Sequence, residues 1–356
     1  MKTRDLSEHR EYAPGKSTGE VAIEIGRDGS EIINLSSNEN PLGPSLNVIN
    51  TLKERSEGVN RYPKEASKGL INKIAQKWGI RESQVWLANG ADGAIDYISR
   101  AMIEPGDCVL VPNPGFAYYG MSSRFHHGGV EEYDIGKEEG FELSAENVLR
   151  GYKGQKIVYL TNPNNPTGGI FSAKEIERIV EGVGEDSLVV VDEAYGEYSG
   201  EMSSIELCKK YQNIAVIRTF SKAYGLAGCR IGYAIVPEEG SKEYSRVNTP
   251  FAAGELSCYA ASTALGDEKH LDKSIEMARW SREYMEKNLD MNVMKSYANF
   301  VLVEIGNATE SFEQLKNKGI IVRDCTSFGM PEYIRVTCGN QEQTEKVVKE
   351  INNLQE

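Results

Sequence analysis

The sequence predicts an α/β fold, in which a large domain with a mostly parallel sheet flanked by helices is joined to a smaller α+β domain. Three observations lead there. Apolar, β-branched runs at 108–112, 157–161, 188–191 and 214–219 read as strands buried on both faces, and they alternate with helical stretches such as 173–183. The residues best suited to chemistry stand just after those strands, where an open parallel sheet concentrates function. Past about residue 245 the pattern changes to helical stretches over 255–287, then to short strand-like runs NFVLVEI (299–305), GIIVRD (319–324) and YIRVTCG (333–339). The expected division is an N-terminal arm over 1–40 contributing to the small domain, a large domain over 41–245 and a small C-terminal domain over 246–356. No linker or repeat marks the boundaries.

Composition narrows the function classes. With 356 residues the chain exceeds one ordinary domain. A net charge of -13 argues against nucleic acid and membrane surfaces, which need clustered Lys and Arg. No apolar run approaches a membrane span, and the start, MKTRDLSEHREYAPGK, lacks the apolar segment of a secretory signal, so a cytoplasmic protein is expected. The six cysteines are scattered without a CxxC pair and read as buried thiols, and His126 and His127 have no acidic or thiol partner at ligand spacing, so no metal is expected.

In chain order, EIINLSSNENPLGPS (31–45) is a short strand running into a turn-rich segment, and helices are expected at 46–57 and 64–78 with RYPKE, containing Tyr62, between them. QVWLANGADGAIDYISRAMIEPGD (84–107) is a strand, a Gly-containing turn and an amphipathic helix. The helix start, with Ala91 and Asp92, offers free N–H groups to a phosphate. Neither GxGxxG nor GxxxxGK[ST] occurs, so this is not a nucleotide fingerprint. CVLVPNPGFAYYG (108–120) is a buried strand whose loop carries Phe116, Tyr118 and Tyr119. IVYLTNPNNPTGG (157–169) is a strand and a turn containing Asn165, and LVVVDEAY (188–195) is a strand ending at Asp192, with Tyr195 three residues on.

RTFSKAYGLAGCRIGY (218–233) sets Lys222 beside the hydroxyls of Thr219 and Ser221, with Arg230 eight residues later. A lysine whose pKa is lowered by its site is a nucleophile toward an aldehyde cofactor, and hydroxyls with an arginine suit that cofactor's phosphate. Asp192 then suits the cofactor's ring nitrogen, and Tyr195 and Asn165 its ring oxygen. Each piece has an ordinary structural alternative: a solvated loop for Ser221-Lys222, a turn tyrosine for Tyr62, plain packing for Phe116.

NPNNPTG, VVVDEAY and RTFSKAYGLAGCRIGY, in that order and spacing, resemble the fold-type I (class I and II) pyridoxal phosphate aminotransferases from about Tyr12 to the end. Within that family YAPGKSTGEVA and NENPLG are similar to the branch acting on histidinol phosphate. The resemblance implies pyridoxal 5'-phosphate as cofactor, Lys222 as the attachment and proton-transfer residue, and Phe116 (with Tyr118 as alternative) stacked on the ring. It implies a homodimer in which Tyr62 reaches the partner's phosphate. It also implies a substrate site with Asn40, with Arg335 on the anionic end and Arg323 as a second arginine for a phosphate. The implied substrates are a phosphorylated amine and a 2-oxo acid such as 2-oxoglutarate. Three alternatives stand: a threonine-phosphate decarboxylase, which would use both arginines but whose HGGN-type opening is absent; an aromatic or broad amino-acid aminotransferase; and a non-catalytic sensor, which needs a DNA-binding domain for which there is no room.

Overall fold

The computed structural model describes His9, Glu11, residues 15–136 and residues 140–354; Tyr12, Ala13 and Pro14 of the YAPGK segment lie outside the described residues. The strands, in order, are β1 (Ile33–Asn34), β2 (Val85–Ala88), β3 (Cys108–Asn113), β4 (Gly129–Asp134), β5 (Ile157–Thr161), β6 (Leu188–Asp192), β7 (Ile214–Thr219), β8 (Gly232–Ile235), β9 (Val293–Met294), β10 (Phe300–Glu304), β11 (Ile320–Ile321), β12 (Arg323–Asp324) and β13 (Tyr333–Thr337). Seven of them form the main sheet in the order β2-β8-β7-β6-β5-β3-β4. All its pairings are parallel except those that β8 makes with β2 and β7. Such a sheet must be covered on both faces, which is why β5, β6 and β7 are buried at every position. Each fully buried Val or Ile in them contributes about 1.5–3 kcal/mol.

The helices are α1 (Thr18–Ile25), α2 (Leu46–Arg55), α3 (Lys64–Trp78), α4 (Gly90–Met102), α5 (Tyr118–Phe125), α6 (Ala145–Gly151), α7 (Ala173–Gly182), α8 (Gly196–Ser199), α9 (Tyr244–Val247), α10 (Glu255–Ala264), α11 (Glu268–Asn288), α12 (Ala308–Asn317) and α13 (Gln341–Asn352). Helices α3, α4, α5 and α6 are among those packed on the main sheet. Helix α10 packs on α2 and α3, placing Cys258, Ala260 and Ala261 in the same core as Val48 and Leu70. The second core lies around β10 and β13, in an antiparallel sheet of order β12-β13-β10-β9, with α11 and α13 against it.

Three elements differ from the sequence expectation. The first forty residues hold a helix, α1, whose N-terminus is a capping box between Ser17 and Glu20 and which buries Val21 and Ala22 beside Ile32 and Ile321. The S-x-x-E signal was present but the apolar stretch after it is short. GIIVRD is two strands, not one: Ile320 and Ile321 pair in parallel with Ile33 and Asn34, whereas Arg323 and Asp324 pair with β13. Strand β4 has no apolar run because it is the sheet's edge, with only Tyr133 buried.

Candidate active site

The ends of β5, β6 and β7 and the loop after β3 open on one cavity of about 420 Å³, closed on the far side by β12, β13 and the turn following β1. Its floor is Asp192, the last residue of β6 and 3% exposed. The carboxylate accepts from the Tyr119 hydroxyl at 2.8 Å and from the Ala194 N–H at 2.9 Å. Burial raises its pKa to about 6, opposed by those two hydrogen bonds and assisted by Asp92 and Glu193. Tyr119 is itself fully buried, shares a hydrogen bond of 2.9 Å with Thr161 Oγ1 and stacks on Tyr159 at 4.5 Å between ring centroids.

Lys222 follows β7 through a local turn. The Thr219 hydroxyl donates to Ser221 Oγ at 3.0 Å and accepts from the Ser221 N–H at 3.1 Å, a side-chain turn that ends the strand and delivers the lysine into the cavity. Beyond it, Gly225 has φ of +68° and lies so close to Gly43 that an added Cβ would sit 2.2 Å from the Gly43 carbonyl oxygen, so only glycine lets this loop seat. Lys222 Nζ donates to the Ser37 carbonyl at 2.9 Å and lies 5.8 Å from the centre of the Tyr195 ring. Burial lowers its pKa to about 8; Arg335 and, less, Arg230 add to that, while Glu39 and Asp92 oppose it. An amine in that range is neutral often enough near physiological pH to act as nucleophile or base.

At one end of the cavity, Ala91 and Asp92 sit in the first turn of α4, whose opening N–H groups have no helical acceptor. Arg230, in a left-handed conformation at φ +48°, donates through Nη2 to Asp92 Oδ2 at 2.9 Å. A Cβ at Gly90 would lie 2.7 Å from Arg230 Nη2, so the missing side chain is what allows the guanidinium to lie against the helix start.

The other end is cationic. Arg323 and Arg335 are direct cross-strand partners on β12 and β13, and both line the cavity. Arg335 Nη2 donates to the Ser36 carbonyl at 2.6 Å and Nη1 to Asn165 Oδ1 at 2.5 Å, while Arg323 Nη2 donates to Ser327 Oγ at 3.0 Å. The Asp324 carboxylate is engaged by Thr309 Oγ1 and the Thr326 N–H. Like charges set directly opposite on a sheet destabilise it, and an anion between them relieves the repulsion.

Of the residues expected from sequence, Lys222, Asp192, Tyr195, Asn165, Thr219, Ser221, Arg230, Ala91, Asp92, Phe116, Arg323 and Arg335 share this one cavity. Two do not line it. Asn40 is buried, its Nδ2 donating to the Ala223 carbonyl and Ser274 Oγ and its Oδ1 accepting from the Leu42 N–H, so it braces the lysine loop from behind. Tyr62 is 72% exposed and stacks on Phe251 at 4.1 Å, outside the cavity of this chain. Tyr118, the alternative to Phe116, also stays outside the cavity, whereas Phe116 lines it edge-on to Tyr119 at 5.6 Å.

Sequence reasoning missed three contributors. Tyr119 was visible as one of a tyrosine pair, and the start of α5 at Tyr118 is what turns the second ring inward. Asn38 donates through Nδ2 to the Tyr195 hydroxyl at 3.0 Å, across 157 positions of sequence, and the Phe328 ring packs against both guanidinium groups, at 5.6 Å from Arg323 and 6.0 Å from Arg335. No local signal marks either.

Comparison with known proteins agrees with this geometry. The family described as aminotransferase class I and II matches residues 30–351. A histidinol-phosphate aminotransferase of Haloferax volcanii is 51% identical over 354 residues, covering 99% of this chain and 98% of that one. One from Methanosarcina mazei is 41% identical over 97% of this chain and 94% of its own. Among solved structures, the chain superposes on histidinol-phosphate aminotransferase from Sinorhizobium meliloti, in complex with pyridoxal 5'-phosphate, with a TM-score of 0.88 at 23% identity, covering 99% of this chain and 96% of the other. It also superposes on a Thermus thermophilus aspartate aminotransferase variant with a TM-score of 0.86 at 22% identity over 99% of both chains.

Proposed function

This chain belongs to the class I and II aminotransferases, and from that premise we propose that it transfers the amino group of histidinol phosphate to 2-oxoglutarate, yielding imidazole-acetol phosphate and L-glutamate in histidine biosynthesis. The observation that carries the choice of substrate is the pair Arg323 and Arg335, opposed across β12 and β13 at one end of the cavity that holds Lys222. Two guanidinium groups side by side suit a phosphate dianion.

The cofactor is pyridoxal 5'-phosphate, and the residues fit it. The cradle left by Gly90 between Arg230 and the start of α4, with Ser221 and Thr219 beside it, matches a phosphate. Asp192 matches a protonated ring nitrogen, Tyr195 and Asn165 a ring oxygen, and Phe116 a ring face. When bound, the cofactor supplies an aldehyde for the lysine or substrate amine and an electron-accepting ring. The rest is done by side chains. Asp192, held by Tyr119 and Ala194, keeps a negative charge facing the ring nitrogen. Lys222, neutral above about pH 8, takes the proton from the substrate carbon that bears nitrogen. Arg323 and Arg335 hold the substrate's phosphate and fix that carbon relative to Nζ.

A homodimer belongs to the same reading. Tyr62, Phe251, Val59 and Leu46 are all large and exposed on and just after α2 and near α10, and exposed apolar groups gathered there support burial against a second subunit. The working compartment is the cytoplasm, in keeping with the acidic surface and with the absence, among the described residues, of any helix long and apolar enough to cross a membrane.

The test is a single-turnover absorbance scan of the cofactor-loaded enzyme mixed separately with histidinol phosphate, threonine phosphate and phenylalanine. Conversion of the lysine-bound band to that of the amine form with histidinol phosphate alone is expected. Carbon dioxide released from threonine phosphate, with the original band restored, would overturn the substrate while leaving the cofactor residues in place.

A further inference from the structure

The turn after β1 carries a side chain whose hydrogen bonds run in one fixed direction. Asn38 is buried, lines the active-site cavity and has a left-handed backbone with φ of +55°, which asparagine tolerates better than most residues. Its backbone is held on both sides: the N–H donates to Thr337 Oγ1 at 3.0 Å and the carbonyl accepts from Asn299 Nδ2 at 3.0 Å. Thr337, the last residue of β13, is tied back in turn, its N–H donating to the Leu35 carbonyl at 2.9 Å. From that anchor the side chain of Asn38 spans to Tyr195, with Oδ1 3.1 Å from Thr337 Oγ1 and Nδ2 3.0 Å from the Tyr195 hydroxyl. These contacts decide where the protons lie. The Thr337 hydroxyl already accepts from the Asn38 N–H, and among the described residues its own proton has one acceptor, the Asn38 amide oxygen. Turning the amide over would leave that buried proton without an acceptor, so the oxygen faces Thr337 and the NH2 faces Tyr195. Asn38 therefore supplies a proton to the Tyr195 oxygen and cannot take one from it.

We propose that Asn38 is a positioning residue for the reaction: by donating to the Tyr195 oxygen it turns the phenol proton toward the ring oxygen of the cofactor. The proposal rests on the reading of Tyr195 given above. A hydrogen bond to that ring oxygen stabilises its negative charge and makes the nitrogen that joins Lys222 to the cofactor less basic. Without the Asn38 amide the phenol proton is no longer directed, and the joining nitrogen holds its own proton to a higher pH. The anchors of Asn38 lie in the antiparallel sheet, at the end of β13 and just before β10, whereas Tyr195 follows β6 of the main sheet. One asparagine thus sets the direction of a bond in one sheet's site from the framework of the other.

The test is the pH midpoint at which the absorbance band of the lysine-bound cofactor changes, read on the loaded enzyme without substrate. Asn38→Gly removes the side chain while suiting the left-handed backbone, and should raise the midpoint by about 0.5–1 pH unit. Asn38→Asp, which keeps the shape but offers Tyr195 no amide N–H, should move it the same way. Tyr195→Phe should raise the midpoint at least as far, and adding Asn38→Gly to Tyr195→Phe should raise it no further. Folding of each variant is checked by the melting temperature of the cofactor-free chain. A shift in Tyr195→Phe without one in Asn38→Gly or Asn38→Asp overturns the proposal alone. So does an Asn38→Gly shift of the same size with and without the Tyr195 hydroxyl, which would mark a role in packing only. An unmoved midpoint in Tyr195→Phe removes the role of the tyrosine, and the proposal with it.

Discussion

The two sides of the active-site cavity are built in different ways. The floor is made by neighbours: Thr161, Asp192 and Thr219 end three adjacent parallel strands, so the pairing that forms the sheet also aligns them. The cationic wall is made by distant parts of the chain, with Arg335 held by the Ser36 carbonyl and by Asn165 across 299 and 170 positions. The floor is buried and holds one carboxylate against its solvation preference. The wall sets two like charges face to face. On the proposed function, the floor governs the chemical step, and the wall governs which substrate is held and how tightly.

The largest break in that comparison should come from the floor side. Lys222→Ala should lower turnover on the order of 10⁴-fold while leaving the melting temperature of the cofactor-free chain nearly unchanged, as read by stopped-flow absorbance and calorimetry. Substantial residual transamination would remove Lys222 from its role. Next, Asp192→Asn should reduce the chemical step by about 10²–10³-fold with little change in KM. The same variant has a stability signature in the cofactor-free chain. The native pKa of Asp192 is raised to about 6 from an ordinary 3.8, so its contribution to stability is fullest below pH 4 and is lost as pH rises through 6. The gain in stability of Asp192→Asn over the parent should therefore grow between pH 4 and 6 and then level off in urea titrations.

The wall should answer differently. Arg335→Leu should raise KM for the phosphorylated amine by about 10–100-fold, more than it lowers kcat. An equal loss in kcat alone would mean that the arginine acts on the chemistry, erasing the distinction drawn here. The smallest effect is expected from pH. Because Lys222 titrates at about 8, the rate of cofactor capture by the free chain should rise with pH through 8 and flatten above it, where a lysine of ordinary pKa would go on rising past 10.

The same contrast explains what could be read from the sequence. Buried parallel strands carry continuous apolar runs, and the residue after each run lands at the sheet's carboxyl edge, so Asp192, Asn165 and Lys222 were legible with their strand ends almost to the residue. Arg323 and Arg335 were legible as types, but their direct opposition is a matter of register between β12 and β13, which no local pattern encodes. Asn38 and Asn40 show the limit. Both lie in one turn-rich segment, and only the long-range bonds to Tyr195 and Ala223 decide that the first enters the cavity and the second supports its back. Helix α1 was missed because eight residues with two buried side chains leave too little periodicity. The split of GIIVRD was missed because each half pairs with a different sheet.

The parallel pairing of Ile33 with Ile320 has a consequence during synthesis. A chain leaving the ribosome carries Lys222 well before it carries the strands that wall it in, and at about 5–20 residues per second the interval between Lys222 and Arg335 lasts about 6–23 s. For most of that interval, until Ile320 and Ile321 are made, β1 has no strand to join. The cationic wall of the cavity is thereby completed only at the end of translation, when the first and last parts of the polypeptide meet.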